Sequence, residues 1–187
     1  MHPRTALLIV DVQHDFLPGG ALGVAHGDEV IAPLLAVAPA ADVIVASRDG
    51  HPPDHCSFAA QGGPWPPHCV EGTRGAELHE AIAAAGPDHV VVKATSPAVD
   101  AYSAFDGTDL ADWLRARGIE RVAVGGLATD YCVRASALDA LAAGFDVVVL
   151  EDACRGVDVH EGDSARALDE LRAAGARVER STALVDG

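Results

Sequence analysis

Arg121-Val122-Ala123-Val124, continuing through Gly125-Gly126-Leu127-Ala128-Thr129-Asp130-Tyr131-Cys132 to Ala143-Gly144 and then Phe145-Asp146-Val147-Val148-Val149-Leu150, is the stretch whose reading decides the fold. The apolar run Arg121–Val124 predicts a strand, Thr129–Ala143 a helix, and Phe145–Leu150 a second strand. Both strands are continuously apolar rather than alternating, as strands covered on both faces are. Gly144 directly after the helical run is the usual residue for ending a helix. Two such strands joined by a helix read as parallel neighbours.

The same alternation continues outward in both directions. Thr5–Val10, Asp42–Ala46, His89–Val92 and Arg177–Glu179 read as further strands. Asp28–Ala38, Gly75–Ala85, Thr108–Arg117 and Glu161–Ala174 read as helices, and Gly86, Gly118 and Gly175 stand where three of them should end. The expectation is an α/β fold, a doubly wound, mostly parallel six-stranded sheet with helices on both faces. It occupies one domain over residues 1–187, a length sufficient for a real core. The longest irregular stretch, Asp49–Thr73, is rich in Pro, Gly and His, and a loop that long inside a compact domain is usually functional.

Hydrophobic content of 49% with 22% charged residues is ordinary for a globular chain, so it selects no special class. The formal net charge of −15 argues against nucleic acid and against an anionic membrane surface as partners. Ala6–Val10 is too short for a signal peptide core, and no stretch approaches a membrane span. Cys56, Cys69, Cys132 and Cys154 contain no Cys-x-x-Cys pair, which removes zinc-ribbon and thioredoxin readings. The expected compartment is the reducing cytoplasm, with thiols unbridged. The sequence leaves a homo-oligomer open.

Lys93 is the only lysine among the thirteen Lys and Arg residues, and it closes the apolar run His89-Val90-Val91-Val92. Lysine differs from arginine in being a compact point charge that responds to desolvation. In open α/β sheets, ligands bind beyond the carboxyl ends of the strands. Asp11 follows the first strand, Asp49 the second and Cys132 the fourth, so an acid, a lysine and a cysteine share one rim. Thr129 reads as an N-cap that places Cys132 in a first helical turn, where the helix dipole and a nearby ammonium favour the thiolate. Each residue alone has a structural reading. Cys132 could be a small buried hydrophobe and Asp11 a turn carboxylate. Cys154 suits the buried role better, and Cys56 and Cys69 stay undecided. Together, Asp11, Lys93 and Cys132 suggest a nucleophilic site.

A second constellation lies in the long loop. Asp49-Gly50-His51, His55 and Trp65-Pro66-Pro67-His68 supply a carboxylate and imidazoles suited to a divalent ion such as zinc, manganese or iron. The alternative is a Pro/His-rich loop with solvated histidines.

These residues, in order, resemble the nicotinamidase/pyrazinamidase branch of the isochorismatase-like cysteine hydrolases. The resemblance covers nearly the whole chain, through Asp11-Val12-Gln13-His14-Asp15-Phe16, Asp49-Gly50-His51, Trp65-Pro66-Pro67-His68-Cys69-Val70, Lys93, Tyr102-Ser103-Ala104-Phe105-Asp106-Gly107 and Gly126-Leu127-Ala128-Thr129-Asp130-Tyr131-Cys132-Val133. It implies that Asp11, Lys93 and Cys132 are a catalytic triad. It implies that Asp49, His51 and His68 bind one divalent metal ion (Zn, alternatively Mn or Fe), with His55 a further ligand in some members and not in others. Phe16, Trp65 and Tyr102 would wall a pyridine ring. The backbone N–H groups of Ala128 and Cys132 would form an oxyanion hole, with a cis peptide at Leu127–Ala128. Gly50 stands where the family often has tryptophan, which is expected to loosen the metal loop, and Ala94 stands where glycine is common. The implied activity is hydrolysis of nicotinamide to nicotinic acid, in recycling toward NAD, with pyrazinamide as a further substrate. Other readings are a carbamoyl- or maleamate-type amidase, an isochorismatase, or a non-catalytic metal-binding module.

Overall fold

The computed structural model describes residues 3–185. Six strands, β1 (Thr5–Val10), β2 (Val43–Asp49), β3 (His89–Lys93), β4 (Arg121–Leu127), β5 (Asp146–Arg155) and β6 (Arg177–Glu179), form one sheet in the order β3-β2-β1-β4-β5-β6. Every pairing is parallel. The strand order reverses between β1 and β4, and this switch point is where such sheets open a crevice for ligands.

The continuous apolar runs are explained by cover on both faces. Leu8, Val10, Val45, Val122, Val124, Val147 and Val149 pack on one side with helices α3 (Leu110–Ala116), α4 (Arg134–Ala142) and α5 (Asp163–Ala174). Leu7, Ile9, Ala46, Ala123, Val148 and Leu150 pack on the other with α1 (Ile31–Val37) and α2 (Glu80–Ala84). Successive residues of one strand thus enter different cores, the period-2 rule with both faces dry. A last short helix, α6 (Thr182–Val185), closes the second side through Leu184. Among the described residues no helix is long and apolar enough to cross a membrane.

Several element boundaries differ from expectation for identifiable reasons. β2 runs on through Ser47-Arg48-Asp49, because Asp49 pairs with Lys93 across the ladder and both are needed at the rim. β5 continues past Leu150 to Arg155. Its register against β4 jumps from Val124↔Val149 to Gly126↔Cys154, so Glu151 and Asp152 arch outward and interrupt the apolar pattern without ending the strand. The Asp152 carboxylate accepts hydrogen bonds from Ser181 N–H at 2.7 Å and Ser181 Oγ–H at 2.8 Å. The helix expected over Gly75–Ala85 reduces to Glu80–Ala84. Residues Arg74–Ala76 form a separate tight turn against Asp15, where a Cβ on Gly75 would overlap the carboxylate. The expected helix Asp28–Ala38 is α1 flanked by tighter turns at Gly27–Val30 and Ala38–Ala40. The four glycines expected to end helices, Gly86, Gly118, Gly144 and Gly175, all have positive φ.

Gly126 sits in β4 beside β1 with φ of 128°, and a Cβ there would overlap the carbonyl oxygen of Val10. Gly126→Ala is therefore expected to push apart the two strands that flank the switch point, at a cost of about 1–3 kcal/mol. Urea unfolding checks this, and an unchanged midpoint would contradict it.

Candidate active site

The carboxyl ends of β1, β2, β3 and β4 deliver Asp11, Asp49, Lys93 and Cys132 to one place. All four residues are buried. The Lys93 ammonium is the centre of the group, 2.9 Å from Asp11 Oδ2, 2.6 Å from Asp49 Oδ1 and 3.6 Å from Cys132 Sγ. It also donates to the Ala101 carbonyl at 3.2 Å. Burial alone would depress the lysine, but the facing Asp11 and Asp49 carboxylates drive it well above the ordinary lysine range. The two carboxylates at this distance favour the charged ammonium.

Asp11 is held by one hydrogen bond, from Ser47 Oγ–H to Oδ1 at 2.7 Å. Its other oxygen, Oδ2, feels the charge of Lys93 at 2.9 Å but lies out of line for a hydrogen bond. It is the one buried side-chain polar atom without such a partner among the described residues. Burial pushes the Asp11 carboxyl up, Asp49 adds to the rise, and Lys93 and Ser47 oppose it without reversing it. An unpartnered oxygen on a carboxylate of raised basicity is a good proton acceptor.

Cys132 lies in the turn Thr129–Val133, a single turn of π-helix that runs directly into α4. The N-cap position belongs to Ala128, and no side chain caps the turn, so the expected Thr129 cap does not form. The surroundings of the sulfur act in opposing directions on a thiolate. Burial pushes the Cys132 thiol well up, reinforced by Asp11 and Asp49, and Lys93 only partly opposes this. Burial and the two carboxylates thus disfavour the thiolate, and a base beside the sulfur would ease its formation. The Leu127–Ala128 peptide is cis, at the position the sequence resemblance implied.

Asp49 links this group to the loop. Burial would raise it, but Lys93 and His51 hold its carboxyl well below the usual carboxylate range. One donor atom each from Asp49, His51 and His68 lies within 4.8 Å of the others, and all three residues are buried. His51 Nδ1 contacts the Ala94 carbonyl at 3.2 Å and His68 Nδ1 the Pro66 carbonyl at 2.8 Å. Those contacts place the ring proton on Nδ1 and leave the Nε2 lone pairs to converge, the arrangement that metal-binding histidines adopt. The donor set therefore fits a borderline divalent ion. Asp11, Asp49 and Cys132 also converge within 4.8 Å, but the Lys93 ammonium already fills that space.

His55 is not brought into this cluster. Its Nδ1 lies 2.7 Å from Ser57 Oγ and its Nε2 3.3 Å from the Val99 carbonyl, while its ring stacks on His51 at 4.1 Å. Gly50 is closely surrounded in the loop. Its N–H donates to the Lys93 carbonyl at 3.1 Å, and a Cβ there would press on Val92 and Glu71. The loop is further held by a strand-like exchange, His51 N–H to Cys69 O at 3.0 Å and Glu71 N–H to His51 O at 2.9 Å.

Beside these groups is a cleft lined by Phe16, Trp65, Tyr102, Ala128 and Cys132, together with Asp49, His51 and His68. Trp65 Nε1–H donates to the Tyr102 hydroxyl at 3.3 Å. Sequence reasoning missed Tyr131, whose ring lies 5.3 Å from Trp65 and 5.5 Å from Tyr102, although its place directly before Cys132 was a usable signal. It also missed Phe58, a fully buried ring packed edge-on beneath His51, His55 and His68 at 5.5–5.8 Å. Leu22, Val24 and Val157 complete the apolar wall. All four cysteines are free. Burial pushes Cys154 up to about 12, in keeping with a packing role.

A parallel sheet with an acid, a lysine and a cysteine at its switch point defines a class of cysteine hydrolase, and sequence comparison agrees with it. Residues 5–183 match the isochorismatase domain, and the chain belongs to that family. It is 41% identical to the nicotinamidase of Escherichia coli (strain K12), over 93% of this chain and 93% of that one. Among solved structures, the pyrazinamidase of Pyrococcus horikoshii in complex with zinc is 46% identical, with a TM-score of 0.86 over 95% of this chain and 99% of its own. PnC1 from L. infantum in complex with nicotinate is 40% identical, with a TM-score of 0.91 over 97% of this chain and 94% of its own.

Removing the central cation would leave two buried carboxylates facing each other. Lys93→Met is expected to destabilise the protein by about 3–5 kcal/mol in urea unfolding. A loss below about 1 kcal/mol, the range of an exposed ion pair, would contradict the placement of Lys93.

Proposed function

We propose that this protein is a metal-dependent cysteine amidohydrolase that converts nicotinamide to nicotinic acid and ammonia. The observation that carries the reading is the joining of two sites through Asp49. One oxygen faces Lys93, which also contacts Asp11 and Cys132, and the other lies 3.5 Å from His51 Nε2. An amidase of this kind needs no metal for its chemistry, so a set of metal donors beside an aromatic cleft argues for a substrate with a ring donor atom. The relatives named nicotinamidase and pyrazinamidase support the same substrate class.

In this reading Asp11 Oδ2 takes the thiol proton of Cys132, and the sulfur attacks the carboxamide carbon. Negative charge gathers on the carbonyl oxygen near the backbone N–H groups of Ala128 and Cys132, a type of contact whose loss costs about 10²–10³ in rate. Asp11 returns the proton to the leaving nitrogen, ammonia departs, and a thioester joins the acyl group to Cys132. Asp11 then takes a proton from water, the hydroxide attacks the thioester, and the proton passes back to the sulfur as nicotinic acid leaves. Lys93 keeps a positive charge beside both reacting groups throughout. Asp49, His51 and His68 would hold a divalent ion, which would supply a Lewis-acid anchor for the pyridine nitrogen. Phe16, Trp65, Tyr102 and Tyr131 hold the flat ring. Pyrazinamide presents a ring nitrogen in the same meta relation to its carboxamide and fits the same slot.

A maleamate- or carbamoyl-type substrate carries a carboxylate. Among the described residues lining the cleft there is no Arg or Lys to receive it, and Asp100 adds a negative charge. That observation favours a neutral amide. The four unbridged thiols agree with a reducing compartment, and recycling of nicotinamide in the cytoplasm is the role we assign.

Ammonia release from nicotinamide, measured with and without chelator treatment, tests the reading. Release should fall on chelation and return with Zn²⁺, Mn²⁺ or Fe²⁺. Cys132→Ala should abolish release with metal still bound, and His51→Ala should lose both metal and turnover. No release by folded, metal-loaded protein would sink the assignment, and substantial turnover by Cys132→Ala would sink the nucleophile.

A further inference from the structure

The segment after β1 carries two buried or partly buried polar side chains that the mechanism does not use, Gln13 and Asp15. Gln13 is completely buried. Its Nε2 donates to the Asp49 carbonyl at 2.8 Å and to the Ala76 carbonyl at 2.9 Å, and its Oε1 accepts from the Asp49 N–H at 2.8 Å. One amide thus grips both backbone groups of Asp49, as a neighbouring strand would. Asp15 Oδ2 accepts from the Cys69 N–H at 2.7 Å, and Oδ1 from the Ala21 N–H at 3.3 Å. Cys69 directly follows His68 and has φ of 46°, a left-handed conformation that a non-glycine residue adopts only when held there. Gly75 backs onto the same carboxylate, and a Cβ there would overlap it.

We propose that Gln13 and Asp15 are positioning residues of the divalent-cation site. Gln13 sets the backbone of Asp49 and Asp15 sets the backbone beside His68, so one short segment aims two of the three donors. That segment begins at Asp11, which makes Asp11-x-Gln13-x-Asp15 a single device that places the proposed base and aligns the metal donors together. The inference rests on the metal-binding part of the function proposed above.

The test is the Zn²⁺ affinity of the full-length protein, by competition with a chromophoric chelator, for the parent, Gln13→Glu and Asp15→Ala. Gln13→Glu keeps the shape and removes both donors; Asp15→Ala removes the acceptor. Each variant is checked by circular dichroism and by thermal unfolding without metal. The folded variants should bind Zn²⁺ about 10–100-fold more weakly than the parent, the usual effect of losing a group that orients a ligand. A merely structural role would lower the metal-free midpoint while leaving the affinity of the folded protein within about threefold, and that result would overturn the inference. If Gln13→Glu does not fold, Gln13→Met, which removes the donors without adding charge, decides by the same criterion. A parent that binds no Zn²⁺ would instead overturn the metal reading on which the inference stands.

Discussion

A single buried ammonium governs the site. Lys93 stands between two carboxylates, 2.9 Å from Asp11 and 2.6 Å from Asp49, in a region closed to water. Isolated charges are costly to bury, so each of the three depends on the others. The balance is also incomplete, because two carboxylates face one ammonium. Asp49 turns its second oxygen toward His51 Nε2, where the candidate metal donors converge. A divalent ion held by Asp49, His51 and His68 would complete the neutralisation. Asp49 thus joins the acid, lysine and cysteine to the candidate metal donors, and a compact ammonium suits the point where they meet. A planar, five-donor guanidinium would not fit a point between two carboxylates and a sulfur.

The sheet places these groups and the loops tune them. Asp11 directly follows β1, Asp49 and Lys93 close β2 and β3, and Cys132 lies in the turn after β4, so the rim of the sheet gathers all four. The loop after β2 is held by backbone exchange at His51, by the ring of Phe58 under three imidazoles, and by side chains from the segment after β1. Rigid support of this kind lets a small site keep its geometry while the cleft beside it stays open to a ligand.

The parts of this arrangement legible in the sequence are those with a one-dimensional signature. Continuous apolar runs marked strands covered on both faces, and the acid, lysine and cysteine at their ends marked the rim. What escaped was set by packing between segments far apart in the chain. Phe58 has no local signal that places it beneath His51 and His68. Val157 reaches the cleft because the Asp130 carboxylate accepts from its N–H at 2.9 Å and from that of Asp158 at 2.8 Å. The start of the helix after β4 was misread because a π-turn needs no capping side chain, so Thr129 looked like a cap it does not provide. The helix position of Cys132 is visible in the sequence, whereas the burial that opposes a thiolate there is not. The expected start of α2 at Gly75 missed a glycine whose purpose is close approach to Asp15.

The most direct test of the account is to stop the reaction in acid during nicotinamide turnover and examine the protein by intact-mass and peptide mass spectrometry. The account predicts a nicotinoyl group on the peptide that carries Cys132, absent in Cys132→Ala and lost on standing in neutral buffer. Sustained ammonia release under conditions where a thioester standard on the same peptide survives the quench, with no acyl group on Cys132 at any time point, would contradict it.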